Sequence, residues 1–315
     1  MRVLITDSTH PVLQQTLEAA GLEVTVDTAV TYDSLLNQIQ HFDAMVVRSK
    51  IEIDRNFLDH ARHLKCIGRV GAGMETIDVA YAESLGIRCI NSPEGNRDAV
   101  GEHALGLLLA LFNNIARADA QVRQGHWLRE PNRGLEIKGR TVGIIGFGNM
   151  GAAFAQRLQG FDCRIIAYDK YKPAGYAPSY VQEVTLDELQ AAADVLSLHV
   201  PLTEETHYMI DEDFLNHMNK DFYLINTSRG AVVKTAALAQ GIAQGHVLGA
   251  ALDVCEYEQL TQDGIDTSHP ELQYLLGCPN MVFTPHVGGW TVESKYKLAY
   301  YLGKKMSDYL VSLIP

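Results

Sequence analysis

The run Thr141-Val-Gly-Ile-Ile-Gly146-Phe-Gly148-Asn-Met-Gly151 most constrains what this chain can fold into. An apolar stretch of strand character ends in G-x-G-x-x-G, helical spacing follows, and a second apolar stretch, Arg164 to Tyr168, closes on Asp169. Each glycine meets a separate demand. Gly146 turns the chain tightly off the strand, Gly148 lets backbone N–H groups reach a pyrophosphate, and Gly151 lets helix and strand pack closely. The start of the helix then adds the positive field that a diphosphate needs. Asp169 can accept hydrogen bonds from both hydroxyls of an adenosine ribose and would repel a 2′-phosphate. The segment therefore reads as a Rossmann β-α-β unit that holds NAD.

Strand and helix signals alternate on both sides of this motif. Before it, Val3–Thr6, Glu23–Val26, Ala44–Arg48, Leu64–Gly68 and Arg88–Asn91 read as strands, with helical spacing at Val12–Ala20, Tyr32–Ile39, Asp54–Ala61 and Ile77–Leu85. After it, strands are expected at Cys163–Tyr168, Val195–Leu198, Tyr223–Asn226, Gly249–Leu252 and Met281–Thr284. Such alternation implies parallel sheets with helices on both faces. The expected fold is α/β, with two doubly wound parallel-sheet domains. A Rossmann NAD-binding domain, residues 99–289, is inserted in a flavodoxin-like substrate domain, a catalytic lid, made of residues 1–98 and 290–315.

Val100–Val122 reads as one helical segment that opens the nucleotide domain. Val292–Leu313 reads as a helix returning to the first domain, with Leu298, Tyr301, Leu302, Met306, Tyr309 and Leu310 on one side. Gln259–Asn280 reads as a polar surface excursion holding one short helix at Pro270–Leu276.

Composition removes several function classes. The 315 residues suffice for two cores, and a net charge of −12 argues against nucleic acid or an anionic membrane as partner. The longest apolar run, Ala104 to Phe112, is too short to cross a bilayer. The five cysteines are odd in number, scattered and without C-x-x-C spacing, so reduced thiols and a cytoplasmic protein are expected, and no metal site. The N-terminus has no signal-peptide pattern.

Three further strand ends carry reactive side chains, where open α/β sheets place their ligands. Asn226-Thr-Ser-Arg229-Gly230 offers Arg229, whose planar guanidinium can clamp a carboxylate in two-pronged fashion. Leu252-Asp253-Val-Cys-Glu256-Tyr-Glu258 offers three acids. Thr284-Pro-His286-Val-Gly288-Gly289 offers a histidine able to exchange protons near neutrality, which a carboxylate such as Glu258 could orient.

The chain resembles the D-isomer-specific 2-hydroxyacid dehydrogenase family over nearly its whole length. The likeness is carried by Val47-Arg48-Ser49, Gly68-Arg-Val-Gly-Ala-Gly73, Asn91-Ser-Pro-Glu-Gly-Asn96, Glu102-His103, Leu198-His199-Val-Pro201-Leu-Thr-Glu-Glu-Thr206, Asn226 to Gly230, Ala251 to Val254 and Thr284 to Gly289. The resemblance implies a catalytic set of Arg229, Glu258 and His286. It further implies NAD contacts from Gly146, Gly148, Asn149, Met150, Gly151, Asp169, His199, Pro201, Thr206, Thr227, Ser228, Asp253, Gly288 and Gly289. Substrate contacts are implied for Arg48, Ser49, Gly71, Ala72, Gly73, Met74 and Asn96.

The implied reaction is hydride transfer between nicotinamide and a small D-2-hydroxy acid or 2-keto acid. 3-Phosphoglycerate is the first candidate substrate, and glyoxylate or hydroxypyruvate reduction is the alternative. From another class, an NAD-sensing binding protein is the rival reading. A homodimer is implied through Gly101–Ile115 and the arm ending near Trp127. Lys234, Gln259 and Trp290 depart from the residues common at those places.

Overall fold

The computed structural model describes residues 1–259 and 264–314. In chain order its elements are β1 (Arg2–Ile5), α1 (Val12–Ala19), β2 (Glu23–Val26), α2 (Tyr32–Gln38), β3 (Ala44–Val47), α3 (Arg55–His60), β4 (Cys66–Arg69), α4 (Val79–Ser84) and β5 (Arg88–Asn91). There follow α5 (Arg97–Phe112), α6 (Ile115–Arg123), β6 (Thr141–Ile145), α7 (Asn149–Leu158), β7 (Arg164–Tyr168), β8 (Gln182–Glu183), α8 (Leu186–Ala192), β9 (Val195–Leu198), α9 (Glu212–Asn216) and β10 (Phe222–Asn226). The chain ends with α10 (Thr235–Gln244), β11 (Val247–Leu252), β12 (Glu258–Gln259), β13 (Gly264–Ile265), α11 (Pro270–Gly277), β14 (Met281–Phe283) and α12 (Val292–Ser312).

Two compact units result, Met1–Arg97 with Trp290–Pro315, and Asp98–Gly289. The first is built on a five-stranded parallel sheet in the order β2-β1-β3-β4-β5, the flavodoxin-like winding. Helix α12 closes one face of this sheet. Ala299, Leu302, Met306 and Leu310 join Leu13, Leu17 and Val46 in one apolar cluster, so the distant C-terminal helix belongs to the N-terminal unit.

The second unit has a seven-stranded sheet, β14-β11-β10-β9-β6-β7-β8, parallel throughout. Strand β6 is buried along its whole length, as a central parallel strand covered on both faces must be. The winding reverses between β6 and β9, so their carboxyl ends, Ile145 and Leu198, lie side by side at the switch point where such sheets bind ligands.

Two expectations need correction. The segment Val100–Val122 is not one helix: α5 and α6 meet at 61°. The break falls at Asn114, whose φ of 54° is a left-handed conformation that asparagine tolerates better than most residues. Tyr301 is 37% exposed, because the buried seam of α12 runs through 299, 302, 306 and 310 and leaves position 301 to one side. The excursion 259–280 carries α11, as expected, together with an unforeseen antiparallel pairing of Glu258–Gln259 with Gly264–Ile265. Part of that excursion, residues 260–263, lies outside the described residues.

Candidate active site

The glycine turn has the geometry its sequence demands. Gly146 has φ 88°, and a Cβ there would sit 2.6 Å from the His199 carbonyl oxygen. A Cβ on Gly151 would overlap the Gly146 carbonyl, whereas at Gly148 it would meet nothing within 4 Å. Strand, turn and helix are thus packed as tightly as backbone allows, with open space left at the middle glycine. Helix α7 starts at Asn149, Met150 and Gly151 with no side-chain cap on its first turn. The residues present fit a diphosphate at this helix end.

Asp169 follows β7 directly and faces the same turn. Its Oδ2 accepts from Phe147 N at 2.8 Å and its Oδ1 from Tyr171 N at 3.1 Å. Thr206 is 9% exposed, and its hydroxyl donates to the Pro201 carbonyl at 2.6 Å and accepts from Thr203 N at 2.8 Å. This side chain therefore locks the loop after β9.

Two buried polar atoms beside the switch point have no protein partner, Nδ1 of His199 and Oγ1 of Thr227. Both residues are on the sequence-predicted NAD set, and a dinucleotide is a group with enough hydroxyl, amide and phosphate functions to serve such orphans. His199 Nε2 pairs with Ser197 Oγ at 2.8 Å, and burial pushes the ring's pKa from 6.5 down to about 3.

The native state thus holds His199 neutral where an unfolded chain would protonate it. That stabilisation is complete above the unfolded pKa of 6.5 and is lost as pH falls towards about 3. Urea unfolding of the second unit should show a slope approaching ~1.4 kcal/mol per pH unit across this window, and His199→Gln should remove one proton's worth of it. An identical slope in the variant would exclude the buried imidazole as its source.

Arg229 stands on the turn after β10, and its Nη1 donates to the Ser228 carbonyl at 2.6 Å. Asn226, to which the sequence motif assigns no role, staples this turn. Its Oδ1 accepts from Ser228 N (3.0 Å) and Ser228 Oγ (2.7 Å), and its Nδ2 donates to the Arg229 carbonyl at 3.0 Å. Gly230 next to Arg229 lies directly on the backbone of Cys255 and Glu256, with no room for a Cβ. The arginine turn and the acidic segment are therefore in backbone contact.

The three acids separate into three tasks. Asp253 is buried, its Oδ1 accepting from Thr284 Oγ1 (2.6 Å) and Val287 N (2.9 Å) and its Oδ2 from Gly288 N (2.8 Å). His103 Nε2 lies 3.2 Å from Oδ1 and 2.9 Å from Thr284 Oγ1. Burial by itself would raise the Asp253 pKa, but hydrogen bonds from His103, Thr284 and the two backbone amides outweigh it and hold the carboxyl below its usual range. Asp253, assigned to NAD from the resemblance, thus ties down the loop Thr284–Gly288. Gly288 is required there, since a Cβ would lie 2.8 Å from Asp253 Oδ2.

Glu256 accepts from Tyr208 OH (2.5 Å) and Thr235 N (2.8 Å), which anchors the start of α10. Glu258 is the acid that reaches the histidine, with His286 Nδ1 and Glu258 Oε2 3.2 Å apart. His286 itself has φ 54°, an uncommon backbone for a non-glycine residue, stabilised by its N–H donating to the Asp253 carbonyl at 2.7 Å.

The residues expected to contact substrate, apart from Arg229, belong to the first unit. Arg48 follows β3, its guanidinium 5.0 Å from the centroid of the Trp290 ring, and Ser49 beside it is exposed. The turn Gly71–Met74 is held by Ser92 N donating to the Gly71 carbonyl (3.0 Å) and Asn91 Nδ2 to the Ala72 carbonyl (2.6 Å). Gly73 completes this turn, and Met74 packs against the apolar core. Asn96 Oδ1 and Ser92 Oγ are buried without a protein partner. Arg69, not singled out from sequence, lays its guanidinium against Gly71.

Residues 105–288 match the family model "D-isomer specific 2-hydroxyacid dehydrogenase, NAD binding domain". The chain is 36% identical over 297 residues to a D-3-phosphoglycerate dehydrogenase of Methanocaldococcus jannaschii, covering 94% of this chain and 55% of that one. It thus spans about half the length of such relatives. It is 37% identical over 285 residues to a hydroxypyruvate reductase of Thermotoga maritima, covering 90% of each. The crystal structure of D-lactate dehydrogenase from Aquifex aeolicus, complexed with NAD and lactic acid, superposes with a TM-score of 0.83 at 26% identity, over 98% of this chain and 95% of that one. The chain belongs to the D-isomer-specific 2-hydroxyacid dehydrogenase family.

Proposed function

We propose that this protein is an NAD-dependent oxidoreductase interconverting a D-2-hydroxy acid and its 2-keto acid. The observation that carries the reading is the His286 to Glu258 pair at 3.2 Å, set at the strand ends of a dinucleotide unit. The turn Gly146–Gly151 and Asp169 would hold NAD, which would supply a hydride acceptor for the hydroxy acid or, reduced, a hydride donor for the keto acid. A carboxylate only accepts, so the proton of the pair sits on His286 Nδ1, and Nε2 is the nitrogen that exchanges a proton with the substrate oxygen. Glu258 orients the ring and supports the imidazolium that forms during oxidation. Arg229 binds the substrate carboxylate and polarises its carbonyl. The family resemblance assigns substrate contacts in the first unit to the turn Gly71–Met74 and to Asn96.

For the substrate, 3-phosphoglycerate is first, with Arg48 as phosphate ligand. A glyoxylate or hydroxypyruvate reductase is the second reading, favoured by Arg48 already facing the Trp290 ring. 3-Phosphoglycerate, D-glycerate, glycolate and D-lactate assayed with NAD, beside their keto acids with NADH, are expected to give highest kcat/KM for the phosphorylated acid. Equal or better turnover of the unphosphorylated acids would transfer the assignment to the reductases. No turnover with any of them, alongside tight NADH binding, would favour an NAD-sensing protein.

The same reading makes the protein a cytoplasmic homodimer. The exposed side chains of Val122 (49%), Trp127 (78%) and Leu128 (46%), beyond α5, supply apolar surface for a second copy.

A further inference from the structure

The turn after β7 reads Asp169-Lys170-Tyr171-Lys172, so the acid expected to face the ribose is followed by two ammonium groups. Left to themselves, two lysines beside the 2′-position would attract a 2′-phosphate and weaken any preference for NAD. Neither projects unengaged. Lys172 Nζ donates to the Phe147 carbonyl at 2.6 Å, within the glycine turn itself. Lys170 Nζ forms an ion pair with Glu205 Oε1, and Tyr171 OH donates to Glu205 Oε2. Both oxygens of Glu205 are thereby taken by consecutive residues of the turn that Asp169 begins. Glu205 comes from the loop after β9, on the far side of the switch point in sequence.

We propose that Glu205 is a second coenzyme-specificity residue, which by holding Lys170 and Tyr171 withholds that cation from a 2′-phosphate. The inference rests on the NAD reading of this unit and adds a residue to it. Asp169, Lys170, Lys172 and Glu205 together sum to zero charge at neutral pH, and a phosphate monoester brings about −1.5 to −2. Without Glu205 the set carries one net positive charge, and Lys170 can swing to the phosphate. Side chains of Lys170 and Glu205 are 57% and 44% exposed. An exposed pair adds little to fold stability and is screened by salt, so removing Glu205 should change selectivity while leaving the fold intact.

The test uses fragments without nicotinamide, so that nothing turns over. Calorimetric titration of the whole protein with ADP-ribose and with 2′-phospho-ADP-ribose reports selectivity directly. Glu205→Gln is expected to tighten the phosphorylated fragment by about three- to tenfold at low salt, with ADP-ribose unchanged within about twofold. The gain should shrink between about 20 and 300 mM salt. Adding Lys170→Met should erase it. Unaltered selectivity in Glu205→Gln, or a gain that survives loss of Lys170, would overturn the assignment. Should the wild-type protein bind neither fragment, the NAD reading itself fails, and the inference with it.

Discussion

The His286→Gln protein is expected to turn over about a hundredfold or more slowly than wild type, with NADH affinity little changed. A positioned acid-base group typically contributes a factor of about 10² to 10⁴, and glutamine cannot exchange protons at neutral pH. The imidazole is 36% exposed and its partner Glu258 19%, so the pair is open to a substrate on one side and supported on the other. Position 286 also has φ 54°, which asparagine adopts more readily than glutamine. His286→Asn therefore serves as the control. It should lose activity equally while keeping the wild-type melting temperature. Near-normal kcat in a folded His286→Asn protein would remove His286 from the chemistry.

Gly230→Ala is expected to damage both stability and activity. An added Cβ would overlap the Cys255 carbonyl and lie 2.6 Å from Glu256 N, all of it backbone that no rotamer change can clear. Overpacking of this kind costs about 1–3 kcal/mol and lowers the melting temperature by roughly 2–12 °C in a unit of this size. Either the turn bearing Arg229 moves, or the segment leading to Glu258 does. A displacement of about 1 Å at a reacting group can cost about 10²-fold in rate, so turnover should fall well beyond the unfolded fraction. The measurement is a melting curve beside kcat taken about 15 °C below the variant's own midpoint. A variant matching wild type in both would show that the close backbone approach has no role in holding the site.

Much of this protein was legible in its sequence because the information is local. Alternation of apolar strands with helical spacing depends on residues a few positions apart, and so does the glycine turn. Even Asp169 is reached by counting along one β-α-β unit. These features specify parallel sheets, a switch point and a diphosphate-binding helix end before any long-range contact is known.

Other features were decided only by tertiary structure. Three acids lie within Asp253–Glu258 and only the family resemblance distinguishes them in sequence, whereas in the fold one ties down a loop, one anchors α10, and one meets His286 across 28 residues. Which carboxylate points where depends on the register of β11 against β14 and on the φ of a single histidine. The break at Asn114 and the exposure of Tyr301 likewise follow from how each helix must turn to lay its apolar seam on a sheet. The clasp of Glu205 on Lys170 joins residues 35 apart, because β9 returns beside β6 and brings its loop to the turn after β7. Periodicity determines which face of an element is buried, whereas only the packed sheet determines which ends of different elements become neighbours, and side-chain chemistry at a distance follows from the latter.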